Sequence, residues 1–406
     1  MSTRILRSAL ALFFTAALVT AAFGWDDTGH ELSAYIAWKS MSPEARARAA
    51  AILLKAPEDS DLSVPYNAFN SRSKAIKELE LFMFAATWPD VVRNRDFEVR
   101  YKKYHHSNWH YSDIFWKGDG EIIKDFPEPS GMAVPKLEDF ERILRDPTAT
   151  DADKAIALAW FLHVAADLHN PLHNASRVTD TEPKGDQGGN LFYLEPAKQD
   201  GSWRLNLHSF WDSIFTKTVP RVNDACDADY IRPMGDMVTN LYPLSELSGE
   251  LELSDYAAWN REGFAFLPET VYGSGLKRDT AAPPAYARQA FRVSERQIAL
   301  AGYRIAATLN SAFGSGPNAG MASEGCKVIR RVPYPVRQKT SAKQEPTVAL
   351  LDICPPKRGM VARPTIVLDP SKGPVAYEYD IIVVFDSEAS ARSYAAANHI
   401  EDVKFN

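Results

Sequence analysis

The chain has 406 residues, of which 45% are hydrophobic and 24% charged, and its formal net charge is -6 at pH 7. This length is enough to bury one large hydrophobic core and a small second one, so we expect two domains. The negative net charge argues against a broad basic surface that holds polyanions by counterion release, so an anionic substrate needs a local cationic site.

The first predicted element is a removed export signal over residues 1–24. Basic residues precede an apolar run at 9–23, and Ala22 and Gly24 occupy the -3 and -1 positions of an A-x-A-like cleavage site. The run is shorter than the ~20 residues needed to span a bilayer, which argues against a retained anchor. Cleavage makes Trp25 the mature amino terminus and predicts a secreted or periplasmic protein with no stable membrane association.

Helical patterning dominates residues 28–312 and predicts a mainly α domain, which we assign to 25–313. Polar loops rich in Gly, Asp and Asn separate the helices, and the stretch RVTDTEPKGDQGGN is of a length that often carries function. Apolar residues recur at helical spacing in three segments, 28–41, 149–170 and 290–313.

A Gly/Ser-rich linker follows at 314–325, and beyond it the pattern changes. We assign residues 326–406 to a small α/β appendage. Strands are predicted there at 347–353, 363–369 and 376–385, and a helix at 387–399.

Three cysteines, Cys226, Cys326 and Cys354, cannot all pair within one chain. Exported proteins tolerate disulfides, and we expect Cys326 to pair with Cys354. One thiol then stays free, and we expect the protein to be a monomer.

The apolar segment FLHVAADLHNPLH is the first to carry chemistry. His163 and Asp167 are four residues apart in it, which puts both side chains on one face of a helix. Pro171 ends that helix just before His173. An ionised aspartate in so apolar a setting needs a partner. For one such pair alone, a helix cap or an ion pair is favoured over a metal.

The same spacing recurs at His208 and Asp212, and a second such pair makes a metal site more plausible than one pair alone does. Imidazole with carboxylate is the ligand set of zinc held by nitrogen and oxygen, at three or four ligands per ion. Five histidines and three aspartates in apolar surroundings are too many for one ion, so several zinc ions are predicted. These residues are His30, Asp90, His110, His163, Asp167, His173, His208 and Asp212.

Six motifs follow one another along the chain: Trp25-x4-His30, Trp88-Pro89-Asp90, Trp109-His110-Tyr111, His163-x3-Asp167-x5-His173, GDQGGN and His208-x3-Asp212. This ordered set resembles the S1/P1 nuclease family of trinuclear zinc enzymes over about residues 25–312. The resemblance implies the mainly α, phospholipase C/P1 nuclease-like fold for this part of the chain.

The resemblance also implies three Zn²⁺ sites that share one carboxylate. The first ion would be held by Asp90, His110, His163 and Asp167, the second by His173, His208 and Asp212, and the third by Trp25, His30 and again Asp167. The α-amino nitrogen and carbonyl oxygen of Trp25 would form a chelate that an extended chain does not offer, so signal cleavage would complete the site. An aromatic anchor packed at the mature terminus is the alternative role for Trp25.

The activity that the resemblance implies is hydrolysis of single-stranded DNA and RNA to 5′-phosphate products, together with cleavage of 3′-nucleotides. Two zinc ions ~3.5–4 Å apart lower the pKa of a bridging water, which attacks phosphorus, and the third stabilises the departing 3′ oxygen. Asp90 and Asp167 belong to this catalytic centre, and Asp167 sets the spacing of two ions. Arg93 is placed to neutralise charge in the transition state, with a plain surface ion pair as the alternative.

Tyr111 and Asp113 match positions that contact the nucleobase in the family. The ring of Tyr111 would stack on a base, and Asp113 would hydrogen-bond the base edge. Stacking contributes ~1–3 kcal/mol per base and hardly depends on sequence, which favours single strands. A buried tyrosine and a helix-capping aspartate are the alternatives.

The chain departs from the family's usual pattern at Ala166, Asn170 and Asn174. None of them is a predicted metal ligand, so metal binding is expected to survive while the orientation of the ligands is affected. Asn190 and Asn206 are expected to fix loop geometry.

Two other functions stay open from the sequence. A zinc-dependent phospholipase C of the related fold uses a similar ligand set, but those relatives have a longer interval from the terminal Trp to the first His and a Glu at the position of Asp212. A secreted zinc-binding or surface-interaction protein without catalysis is the second alternative. Residues 327–343 hold six basic residues and no acidic one, which suits an anionic partner, although a solvated linker strand is favoured there.

Overall fold

The computed structural model describes the chain in four long stretches and three separate strands. The described residues are 25–68, 72–221, 227–273, 275–314, 330–336, 358–367 and 376–385. The predictions that lie outside them concern the signal 1–24, the linker beyond residue 314, the three cysteines, the strand at 347–353 and the helix at 387–399.

Helices make up most of the described chain, which confirms the mainly α prediction. They are α1 (Asp27–Ser40), α2 (Pro43–Leu53), α3 (Val64–Ala68), α4 (Lys74–Val91), α5 (Glu98–Tyr104), α6 (Ala133–Arg145), α7 (Asp151–Asp167), α8 (Leu207–Asp212), α9 (Ile214–Thr218), α10 (Asp227–Leu241), α11 (Leu244–Leu247), α12 (Tyr256–Ala265) and α13 (Pro284–Phe313). Short 3₁₀ turns lie at Glu58–Ser60, Ser107–Trp109, Pro171–His173 and Ser248–Glu250, and a π-helical turn at Leu267–Val271. Within the described stretches, none of the helices combines the length and the hydrophobicity that a membrane crossing requires.

Two small sheets accompany the helices. In the first, β1 (Ile114–Lys117) and β2 (Ala175–Val178) run parallel, with Ile114 opposite Ala175. The second is antiparallel in the order β3-β5-β4 and consists of β3 (Arg330–Val336), β4 (Arg358–Val367) and β5 (Ala376–Phe385).

The antiparallel sheet agrees in part with the strand predictions. β5 coincides with the predicted strand at 376–385, and β4 overlaps the one at 363–369. β3 falls within residues 327–343, for which the sequence favours a solvated linker strand over a surface that binds an anionic partner. Among the described strands it lies at the edge of the sheet, a position where proline is tolerated.

The centre of the helical part is α7, which is apolar on all sides. Thr150 caps it by accepting a hydrogen bond from the backbone N–H of Asp153. Residues 157–167 are all buried, and the helix packs against α2, α4 and α6. A helix that is apolar around its whole circumference is stable only inside a core, so His163 and Asp167 are carried into the interior.

The first helix, α1, lies against the last, α13, at a close approach. A Cβ atom on Gly302 would lie 2.5 Å from Cγ2 of Ile36 and 2.9 Å from the carbonyl oxygen of Ser33. Only glycine allows the two helices to come so near. Since α1 also contacts α4 and α7, its first turn is held beside the end of α7.

Candidate metal centre

Three groups of imidazole and carboxylate side chains lie in the core of the helical part. Within each group the candidate ligand atoms are within 4.8 Å of one another. The groups are His30, Asp90 and His163; His110, His163 and Asp167; and His173, His208 and Asp212. The structure thus brings together all eight side chains that the sequence singles out. Seven of them are buried, and the side chain of Asp90 is only 9% exposed.

The ends of α4 and α7 and the 3₁₀ turn before His110 form one part of the centre. Nε2 of His163 lies 3.3 Å from Oδ2 of Asp167, one helical turn away, and 3.7 Å from Oδ1 of Asp90. Nδ1 of His110 lies 3.2 Å from Oδ2 of Asp167 and 2.9 Å from Nε2 of His163. Four predicted ligands therefore converge on one small volume.

His173 and the helix α8 form a second part. His208 and Asp212 are one turn apart on α8, with Nε2 of His208 3.4 Å from Oδ2 of Asp212. Nε2 of His173 lies 3.8 Å from Oδ1 of Asp212, and its Nδ1 lies 3.9 Å from Oδ1 of Asp167. His173 therefore connects this group to the carboxylate at the end of α7.

Trp25 lies against the same region. Its side chain is fully buried, and its indole N–H donates to the carbonyl oxygen of Ala166 at 3.0 Å. The backbone N–H of Asp26 donates to the carbonyl oxygen of Asp212 at 2.9 Å. The backbone at Trp25 is thus fixed between the last turn of α7 and the end of α8.

His30, in the first turn of α1, faces the second oxygen of Asp167. Nε2 of His30 lies 3.4 Å from Oδ1 of Asp167, and its ring stacks on His163 with centroids 3.8 Å apart. Within the described chain, both ring nitrogens of His30 and Oδ1 of Asp167 are buried without a hydrogen-bond partner. Two ligands bonded at about 2.0–2.2 Å to one tetrahedral zinc ion lie roughly 3.4 Å apart. The residues present therefore fit a bound cation.

Backbone carbonyls orient three of the imidazoles. Nδ1 of His163 donates to Ala86, Nδ1 of His173 to His110, and Nδ1 of His208 to Gly188, each at 2.7 Å. Because one ring nitrogen of a neutral imidazole carries the proton, Nε2 of each ring presents its lone pair to the cluster. Metal-binding histidines are typically held in this way.

The electrostatics of the centre differ between its imidazoles and require positive charge near one carboxylate. Burial lowers the pKa of His30, whereas for His163 burial is outweighed by Asp167 and Asp90, which raise the pKa. Burial and the charge of Arg93 lower the pKa of His110 to about 3, so this ring is neutral at pH 7. Burial, opposed by His208, raises the pKa of Asp212 well above its usual range. Although burial also disfavours ionisation of Asp167, the neighbouring histidines His163 and His173 hold the pKa of that carboxyl well below its usual range. An ionised Asp212 therefore needs a cation at this position.

Arg93 lies directly beside the first group. Its Nε is 2.9 Å from Oδ1 of Asp90, and both side chains are 9% exposed. The pair is therefore buried and not on the surface, which was the alternative considered for Arg93. Its guanidinium charge reaches the metal centre, as the lowered pKa of His110 indicates.

Tyr111 and Asp113 follow His110 in the chain, and both are half-buried. The half-buried Tyr111 packs closely on the next loop, since a Cβ on Gly131 would lie 2.2 Å from its carbonyl oxygen. The N–H of Asp113 donates to the carbonyl oxygen of Ser130 at 2.5 Å. Asp113 lies immediately before β1 and caps none of the described helices, so the helix-capping alternative for this residue is wrong.

Several contributions to the site were not foreseen from the sequence. Nδ2 of Asn170 donates to Oδ1 of Asp212 at 2.7 Å, although Asn170 was noted only as a departure from the family pattern. The carbonyls that orient the imidazoles were not foreseen either, because a backbone group leaves no mark in the sequence: Ala86 has no distinctive side chain, and His110 was singled out only for its imidazole. Gly188 is the exception, because its φ of +60° and its place in GDQGGN mark a specialised turn.

The GDQGGN loop is held in place by its own polar side chains. Nδ2 of Asn190 donates to the carbonyl oxygen of Gln187 at 2.9 Å, and Oδ1 of Asn206 accepts from the N–H of Ser209 at 2.7 Å, capping α8. Both contacts are local, as expected for residues that fix loop geometry. The Asn190 contact closes the turn that contains Gly188, whose carbonyl orients His208.

Comparison with known proteins agrees with this geometry. The model of the S1/P1 nuclease family matches residues 25–314. The chain belongs to the S1/P1 nuclease family. It is similar to Nuclease S1 of Aspergillus oryzae (strain ATCC 42149 / RIB 40), with 24% identity over 312 residues that cover 73% of this chain and 94% of that protein. S1/P1 membership supports a nuclease function in general, and the His/Asp groups of this S1/P1 member can bind metal.

Proposed function

We propose that this chain is a secreted, zinc-dependent nuclease that hydrolyses single-stranded DNA and RNA to 5′-phosphate products and also cleaves 3′-nucleotides. One observation carries the proposal: eight buried or nearly buried imidazoles and carboxylates lie at the mutual distances of shared metal ligands, in a member of a nuclease family. Bound cations at this place would also supply the local positive charge that a protein of net charge -6 needs to hold a polyanion.

The proposed centre holds three zinc ions. Asp167 is suited to serve two of them, because Oδ2 faces His110 and His163 whereas Oδ1 faces His30. We assign the first ion to Asp90, His110, His163 and Asp167, the second to His173, His208 and Asp212, and the third to Trp25, His30 and Asp167. The buried backbone of Trp25 beside α7 and α8 supports its part in the third site.

Zinc at these positions would supply a water of lowered pKa and positive charge next to the phosphate. The protein's part is to fix the ligands: Asp167 sets the separation of two ions, and the backbone carbonyls hold the imidazole rings in one orientation. Arg93, paired with Asp90, would stabilise the negative charge that develops on the phosphate in the transition state. The apolar core around the ligands strengthens each of these interactions by excluding water.

Tyr111 and Asp113 would select the substrate. Both follow the proposed ligand His110 closely in the chain and are half-buried, which supports a role next to a phosphodiester bound at the centre. Stacking on Tyr111 requires an unpaired base, which favours single strands over duplexes. Asp113 would hydrogen-bond the edge of the same base.

The test compares four substrates with the protein that begins at Trp25. Zinc-loaded protein is incubated separately with denatured DNA, RNA, a 3′-nucleotide and phosphatidylcholine, and the products are identified. We expect 5′-phosphate fragments from both nucleic acids, inorganic phosphate from the 3′-nucleotide, and no phosphocholine. Release of phosphocholine with intact nucleic acid would identify a phospholipase C instead. Zinc binding without hydrolysis of any substrate would identify a non-catalytic protein.

A further inference from the structure

A groove of about 590 Å³ lies beside the metal centre, between the 3₁₀ turn Ser107–Trp109 and the helices α6 and α7. The indole of Trp160 lines this groove and also packs edge-on against His110, with ring centroids 5.3 Å apart. One side chain therefore separates the groove from a predicted metal ligand. None of the assigned ligands and neither base-contacting residue lines it.

The floor of the groove is aromatic. His106 stacks on Trp109 with ring centroids 3.7 Å apart and an interplanar angle of 15°. Trp109 in turn packs edge-on against Trp160 at 4.8 Å. Burial and the nearby Lys136 lower the pKa of His106, so the imidazole is uncharged at neutral pH. Uncharged aromatic surfaces of this kind bind nucleobases by stacking, with little preference among the four bases.

The rim of the groove carries cations on one side. Nζ of Lys136 lies 2.9 Å from Oδ2 of Asp139, and an Nη of Arg142 lies 3.1 Å from Oδ1 of the same carboxylate. The Lys136 pair is part-buried, since Nζ of Lys136 also lies 4.8 Å from the centroid of the Trp109 ring, and the Arg142 pair is at the surface. Solvent reaches Asp139 in both pairs, and such interactions typically contribute at most about 1 kcal/mol. A phosphate group can therefore replace Asp139 as the partner of both cations. The aromatic floor suits the base of a nucleotide, and the cations at the rim suit its phosphate.

His105 is the neighbour of a groove residue and is also close to the charge of Arg93. It precedes His106 in the chain, and its pKa is lowered by burial and by the charge of Arg93. The charge of Arg93 acts on His105 and that of Lys136 acts on His106, so a cation lies near each of two neighbouring histidines. Positive charges at both places would attract consecutive phosphates of one strand.

We propose that this groove binds a nucleotide of the single-stranded substrate that flanks the cleaved bond, with its base on the His106–Trp109 floor and its phosphate between Lys136 and Arg142. The inference rests on the proposed nuclease function and extends it to substrate length. Oligonucleotides that reach the groove would be bound more tightly than dinucleotides, which occupy only the metal centre.

The experiment measures kcat and KM for two substrates, a twelve-nucleotide single strand of thymidylate and the dinucleotide TpT. The test variant is Lys136→Gln/Arg142→Gln, and the matched control, Lys74→Gln/Arg261→Gln, removes two exposed cations outside the groove. We expect the test variant to raise KM for the longer strand about tenfold, with kcat unchanged and a weaker dependence on salt. TpT kinetics should stay as in the unmodified protein, and the control should match it on both substrates.

Two further variants separate the contributions of floor and rim. Asp139→Asn removes the competing carboxylate and is expected to lower KM for the longer strand. His106→Ala removes the stacking surface and is expected to raise KM about tenfold on this substrate alone.

Suppose that the unmodified protein cleaves both substrates and that the test variant and the control have the same KM for the longer strand. The proposed binding of a nucleotide in the groove would then be wrong, while the nuclease function would still hold. If the test variant raised KM for TpT as much as for the longer strand, the groove proposal would also be wrong, because Lys136 and Arg142 would then act at the metal centre. An unmodified, zinc-loaded protein that cleaves neither substrate would overturn the nuclease function itself.

Discussion

Asp167 makes the contacts on which the proposed metal centre most depends. Its Oδ2 lies 3.2 Å from His110 and 3.3 Å from His163, and its Oδ1 lies 3.4 Å from His30. One carboxylate therefore faces histidines of two different ion sites. In the proposed assignment, loss of Asp167 affects both sites, whereas each histidine is assigned to one ion.

We expect Asp167→Ala to lose nuclease activity and more than one zinc ion per chain, because two ions share this ligand. Zinc is counted by elemental analysis of the purified variant. Asp151→Asn, at the opposite end of the same helix, is the control and should keep the full complement. An Asp167→Ala protein that retains three ions would contradict the bridging role.

Asn170 is the residue whose importance the sequence concealed most. Its Nδ2 holds Oδ1 of Asp212 at 2.7 Å, and its own Oδ1 accepts from the N–H of Leu172 at the start of the turn that ends at His173. It is fully buried. One side chain thus contacts Asp212 and the turn that carries His173, two of the proposed ligands of the second ion.

Asn170→Ala is expected to weaken zinc binding at the second site about 10–100-fold, as removal of a partner that orients a ligand typically does. Competition with a zinc chelator of known affinity measures the effect without reference to activity. Asn170→Gln restores an amide donor and should recover much of the affinity. Equal affinities of the alanine variant and the unmodified protein would show that Asn170 does not position the ligand.

At the scale of elements, the contact between α1 and α13 holds His30 in place. Gly302→Ala puts a methyl group 2.5 Å from Cγ2 of Ile36, and we expect it to lower the free energy of unfolding by about 1–3 kcal/mol. Urea unfolding measures the change. Gly249→Ala, where a Cβ would meet nothing within 4 Å, is the control. The double variant Ile36→Ala/Gly302→Ala should lose less free energy of unfolding than the two single variants lose together. If the two losses simply added up, the clash with Ile36 would not be the cause of the effect of Gly302→Ala.

Glu141 ties α6 to the start of α12. It accepts hydrogen bonds from the hydroxyls of Tyr256 at 2.5 Å and Ser254 at 2.9 Å, and from Nε of Arg145 at 2.8 Å. Although burial opposes ionisation, these donors hold the pKa of Glu141 below its usual value. A carboxyl whose pKa is lowered on folding stabilises the protein above its unfolded pKa of about 4.3, and this contribution is lost as the pH falls through the folded value.

Glu141→Gln is therefore expected to reduce the free energy of unfolding by about 1–3 kcal/mol at pH 7. The difference from the unmodified protein should shrink once the pH falls below about 4.3. Urea unfolding at a series of pH values is the measurement, with the exposed Glu138→Gln on the same helix as control. A difference that does not change with pH would rule out the ionised carboxylate as its source.

The helices of the site were predictable because their signals are local. The apolar spacing at 28–41, 149–170 and 290–313 corresponds to α1, α7 and α13, and the Thr150 cap and Pro171 delimit α7. Two pairs of the eight clustered side chains, His163 with Asp167 and His208 with Asp212, were found from the sequence because imidazole and carboxylate four residues apart on an apolar helix are costly unless they bind something. The other four were added as histidines and an aspartate in similarly apolar surroundings.

Other parts of the site could not be predicted because they depend on distant segments. β1 pairs with β2 across more than fifty residues, and each strand is too short to show alternation. The carbonyls that orient His163, His173 and His208 have no side-chain signature. The groove beside Trp160 likewise arises from segments that meet only in the folded chain.

At the scale of the whole molecule, folding brings the imidazole and carboxylate groups of distant segments close to the backbone at Trp25. The N–H of Asp26 is already bound to the carbonyl of Asp212, so the residue before it has little freedom of position. A chain extended beyond Trp25 would replace its free amine with an amide, which is a poor metal ligand at neutral pH. The third ion should therefore be the one that depends on processing.

The proposed metal centre is tested most directly by the zinc content of two forms of the protein, one that begins at Trp25 and one that carries an alanine before it. We expect three ions per chain in the first form and two in the second, with full nuclease activity only in the first. Equal zinc content in the two forms would contradict the role of the chain start, and a Trp25 form without bound zinc would contradict the metal centre as a whole.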